Sequence, residues 1–82
     1  MIYNDTMDNA EKIILKFKKS DAGQKYEDCE KVLIYLGYTH RNSKGSHRIF
    51  KKGEFYVVIA NHKPVSKGAI KDVLNAWEKY HE

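Results

Sequence analysis

From Asn9 to about Lys19 the apolar residues Ala10, Ile13, Ile14 and Phe17 recur at intervals of three and four, with lysines between them. That spacing predicts an amphipathic helix, with Asn9 as its N-cap. Residues 1–8 read as a frayed end, and Ser20-Asp21-Ala22-Gly23 as a short break. A second helix is predicted from about Tyr26 to Leu36, because Tyr26, Cys29, Val32, Leu33 and Leu36 share one face. Gly37 follows the last periodic residue, where a left-handed C-terminal cap is expected.

The period then changes to two. Tyr38 to Asn42 reads as a short strand, Asn42-Ser43-Lys44-Gly45 as a turn, and Ser46 to Lys51 as a second strand. Lys52-Gly53 makes a tight hairpin into a third strand, Glu54 to Ala60. In it Phe55, Val57 and Ile59 point one way and Tyr56, Val58 and Ala60 the other. After the loop Asn61-His62-Lys63-Pro64-Val65, Ser66 is a good N-cap for a final helix bearing Ile70, Val73, Leu74 and Trp77 on one stripe. Val65 is placed to staple that helix start. The predicted fold is α+β, in the order α-α-β-β-β-α: a three-stranded antiparallel meander with helices on one face. One choice stays open. If Phe50 packs under the helices, His47 lies on the uncovered face; if Ile49 does, His47 is inside.

Length and composition narrow the class. An 82-residue chain is one small domain, too short for a two-lobed enzyme or a doubly wound nucleotide-binding sheet. Six Tyr, three Phe and one Trp are enough to seed a core, which argues against disorder. No apolar run approaches the ~18 residues of a membrane span, and the start of the chain lacks signal-peptide character. The single cysteine, Cys29, reads as a small core residue, and the chain as cytoplasmic. Net charge is +4 but uneven: residues 38–71 carry eight basic residues against Glu54 alone, net +7. Such a zone attracts phosphate backbones or acidic proteins, or is simply a solvated surface.

The chemistry on offer is limited. The four histidines His40, His47, His62 and His81 have no metal-ligand spacing, and no glycine-rich phosphate loop or carboxylate pair is present. His47 stands out for its neighbours: Lys44-Gly45-Ser46 before it, Arg48 and Lys51 after it, and Arg41 on the adjoining strand. An imidazole takes or gives a proton near neutrality, and the cations can hold a phosphodiester. A base with a cationic clamp is a minimal kit for RNA cleavage through the 2′-hydroxyl. The plain alternative is a structural or merely exposed histidine.

The stretch Leu36-Gly37-Tyr38, then Lys44-Gly45-Ser46-His47-Arg48-Ile49-Phe50, resembles the HicA (YcfA-like) mRNA interferase toxins. Their hallmark is a helix ending in Leu-Gly-aromatic, a short strand, and Gly-Ser-His with an aromatic three positions on. Ser66-Lys67-Gly68-Ala69-Ile70-Lys71-Asp72-Val73-Leu74 is similar to their final helix. The likeness covers about residues 26–78, so the chain is expected to be one HicA-like domain over residues 1–82, with residues 1–20 an N-terminal extension and 21–82 the core. The resemblance implies a double-stranded-RNA-binding-domain-like fold and a toxin that cleaves mRNA without a metal or other cofactor. His47 falls on the family's catalytic histidine. Lys44, Gly45, Ser46, Arg48, Arg41 and Lys51 are the expected RNA-binding residues. A HicB-type antitoxin is the implied protein partner, with no membrane and no direct DNA contact. The hairpin at Lys52-Gly53 is shorter than in many members, and the motif fixes no acid for the leaving 5′-oxygen; His40, His62, Lys44 or water could serve. Two other readings share the element order or the charge: a non-catalytic double-stranded-RNA-binding module gripping phosphates with Lys63, Lys67 and Lys71, and a protein-interaction domain for an acidic partner. Tyr56 is placed to stack on a base if it shares the open face with His47.

Overall fold

The structure, a computed structural model, describes residues 9–42 and 45–80. Three helices, α1 (Asn9–Lys19), α2 (Tyr26–Tyr35) and α3 (Lys67–Tyr80), accompany three strands, β1 (Thr39–Asn42), β2 (His47–Lys52) and β3 (Phe55–Ala60). The strands form an antiparallel meander, β1-β2-β3, in the expected order α-α-β-β-β-α. His40 pairs with Phe50 and Phe50 with Val57; His47 pairs with Ala60.

Local chemistry sets the boundaries. Leu36 caps α2, and Gly37, at φ +100°, makes the left-handed exit that a side chain resists. Ser66 Oγ accepts the Ala69 N–H at 3.1 Å and opens α3, while Val65 beside it is buried. The hairpin turn sits one residue later than expected. Lys52 still pairs with Phe55, and Gly53 takes φ +61° as the first residue of a two-residue loop. Lys52 is held by more than its strand. Its ammonium donates to the Leu36 carbonyl at the end of α2 and lies 4.0 Å from the centre of the Tyr80 ring.

Alternation along β2 resolves the open choice in favour of Phe50. Phe50 and Ile59 are fully buried, in one core with Ile14, Phe17, Val32, Leu33, Ile70, Val73 and Trp77. The Tyr26 ring packs on Phe50 at 6.4 Å. α1 is tied to α2 by the ammonium of Lys16, 2.8 Å from the buried carboxylate of Asp28. Lys16, with its side chain exposed, thus ties the two helices together by its charged end. Cys29 lies in the core, and burial pushes its thiol up to about 12. A thiolate is the reactive form, so the native protein is expected to resist a thiol reagent at pH 8 and to react only on unfolding. A one-equivalent reaction as fast as that of a free cysteine would place Cys29 at the surface.

Candidate nucleic-acid interface

With Phe50 and Ile59 facing the helices, the period of two puts Thr39, Arg41, His47, Ile49, Lys51, Tyr56, Val58 and Ala60 on the other side of the sheet. No helix among the described residues covers that side: Thr39, Arg41, His47, Lys51, Tyr56 and Val58 are all exposed. The register lays them out in rows. Thr39, Lys51 and Tyr56 form one, Arg41, Ile49 and Val58 the next, and His47 with Ala60 the last. His47 thus stands at one end, with Arg41 as a diagonal neighbour on β1, a separation that long side chains bridge. Tyr56 shares the face but stands four residues along β3 from Ala60, roughly 13 Å at ordinary strand rise. The face carries Arg41, His47 and Lys51, and no carboxylate among its described residues.

In the turn before His47 the backbone conformation, and not crowding, favours glycine. Gly45 has φ +65°, and a Cβ there would meet nothing within 4 Å. Ser46 accepts the Asn61 N–H at its carbonyl, 2.7 Å away, which locks the end of β3 to the start of β2. Arg48, expected beside His47, alternates onto the opposite side. Its guanidinium donates to the carbonyls of Gly45 at 2.9 Å and His47 at 3.2 Å, so it braces the turn from behind. Lys44 lies outside the described residues. Of the acid candidates, His40 is on the helix-facing side, stacked on Phe50 at 4.8 Å with Nδ1 3.6 Å from Glu30. It is separated from His47 by the sheet itself. His62 is exposed in the loop that leaves β3 at the His47 end, its N–H bonded to the Ala60 carbonyl at 2.9 Å. Among the described residues no three His, Cys, Asp or Glu side chains gather as metal ligands.

The fold and this face define a small α+β domain that offers a bare, cationic sheet with a histidine at its end. The chain belongs to the HicA toxin family: the sequence model described as HicA toxin of bacterial toxin-antitoxin systems matches residues 26–77. It is thus a toxin of a toxin-antitoxin system, with an antitoxin as partner. No curated protein and no solved structure matches the chain. The matched stretch begins with α2 and ends within α3, so α1 lies outside it. No helix among the described residues is long and apolar enough to cross a membrane.

Proposed function

We propose that this toxin is an endoribonuclease that cleaves mRNA in the cytoplasm, with His47 as its general base. The observation that carries the reading is the exposed His47 at the end of a cationic sheet face without carboxylates among its described residues, directly after Gly45-Ser46. An imidazole nitrogen of His47 takes the 2′-hydroxyl proton, and the 2′-oxygen forms a bond to the adjacent phosphorus. The bond from phosphorus to the 5′-oxygen breaks, and that oxygen leaves with a proton from water or from the protonated imidazole. The products are a 2′,3′-cyclic phosphate and a 5′-hydroxyl, and no step calls for a metal. Arg41 and Lys51, with Lys44, neutralise the backbone and the charge that builds on the phosphoryl oxygens. Gly45 and Ser46 let the backbone come close, and Arg48 is a positioning residue that holds their turn. Tyr56 gives a base a ring to stack on. A HicB-type antitoxin silences the toxin by covering the same face.

The test is incubation of the purified protein with a single-stranded transcript in the presence of EDTA. Cleavage to fragments with cyclic-phosphate and 5′-hydroxyl ends is expected. Fragments with 3′-hydroxyl ends would overturn the 2′-hydroxyl mechanism. Binding without any cleavage would overturn catalysis and leave a non-catalytic RNA-binding module, and the absence of both would leave a protein-interaction domain.

A further inference from the structure

A second concentration of positive charge lies off the sheet, where the last turn of α1 meets the first turn of α3. Lys18 and Lys19 from α1 and Lys67 and Lys71 from α3 line an open cleft of about 630 Å³, with Asp21 as the sole acid among its described lining residues. All four lysines are exposed. Their arrangement on α3 runs against the fold's own electrostatics. The start of a helix is its positive end and favours carboxylates, yet α3 has no acid in its first turn and begins with Lys67. Lys18 and Lys19 suit the end of α1 taken alone, and packing sets them along the same cleft as Lys67 and Lys71 of α3. Four cations around one cleft favour an anion there.

The backbone is also open there. Ser66 satisfies the N–H groups of Ala69 and Ile70, while those of Lys67 and Gly68 meet no protein acceptor among the described residues. Gly68 is not required by crowding, since a Cβ would approach only Ser66 Oγ, at 3.9 Å. Glycine weakens a helix relative to alanine, and one use that offsets this is close approach of a ligand to the backbone. The chain links the two regions: β3 ends at Ala60, paired with His47, and the loop of residues 61–66, with exposed Lys63, runs on to Lys67.

We propose that the cleft between α1 and α3 is a second phosphate-binding site, which holds the backbone of a single-stranded RNA beyond the bond that His47 acts on. The proposal rests on the RNA-cleaving reading above. Half of the site comes from α1, outside the family match, so the added helix extends the RNA footprint of this toxin.

The test uses full-length His47→Ala protein, which leaves the RNA intact, and a fluorescein-labelled single-stranded RNA, with affinity measured across a salt series. Replacing Lys18, Lys19, Lys67 and Lys71 together by Gln is expected to weaken binding about ten-fold or more. It should also reduce the slope of log affinity against log salt by about 2–3, at roughly 0.7 for each phosphate no longer neutralised. The same four positions changed to Arg keep the charge and should keep the affinity, which separates charge removal from misfolding. A Gln variant that binds as tightly as its parent, with the same slope, overturns the cleft and leaves the RNA reading standing. If the parent itself binds no RNA, the RNA reading fails and the cleft with it.

Discussion

His47→Ala is expected to slow RNA cleavage by roughly 10²–10⁴-fold, the usual worth of a positioned general base. The melting temperature should hardly move, because the His47 side chain is exposed and supports nothing beneath it. That combination distinguishes a chemical role from a structural one. The neighbours on the same face should behave differently. Arg41→Ala and Lys51→Ala, which remove the cations proposed to hold phosphates, should weaken binding more than the chemical step, with an effect that shrinks as salt rises. Measured under single-turnover conditions, a His47→Ala protein that cleaves at the wild-type rate would move the chemistry to another residue. His62 is then the first to examine, since it is exposed and leaves the sheet at the same end.

Phe50→Ala is the substitution expected to cost most stability. Phe50 is fully buried, packed against the rings of Tyr26 and His40, and its removal opens a void in the core of an 82-residue domain. Truncations of this kind cost about 3–5 kcal/mol, against a total of roughly 5–15 kcal/mol for a typical domain. Denaturant unfolding should therefore show a sharply lowered midpoint or no folded baseline. Ile49→Ala, next to it in sequence but on the open side, should cost much less. The comparison reads the orientation of β2 directly. A larger loss at Ile49 than at Phe50 would turn the sheet over and bury His47, and the proposed site would fail with it.

The element order was legible because each segment repeats with one clear period, and because Gly37 and Ser66 mark helix ends with chemistry that few other residues supply. The face of the sheet was less so. Phe50 and Ile49 are both apolar neighbours in β2, and only the packing of Tyr26 and the helices against Phe50 separates them. Arg48 shows the cost of reading proximity along the chain as proximity in space. Adjacent to His47 in sequence, it points the other way under the period of two, and its bonds to the Gly45 and His47 carbonyls make it a brace. The hairpin slipped by one residue because Gly53 accepts a positive φ at the first loop position, which frees Lys52 to pair with Phe55 and reach Leu36. The pairing of Lys16 with Asp28 and the meeting of Lys18 and Lys19 with Lys67 and Lys71 leave no local trace. They arise from how α1 packs on its neighbours, and along the chain the lysines of α1 look like an ordinary solvated stripe.

Whether this toxin arrests growth by cleaving mRNA with His47 is decided by induced expression of the wild-type chain beside His47→Ala at matched protein levels, following growth and the integrity of a reporter mRNA. Growth arrest and loss of the message in the wild type alone is the result expected. Equal toxicity of the two, or growth arrest with the message intact, would contradict it.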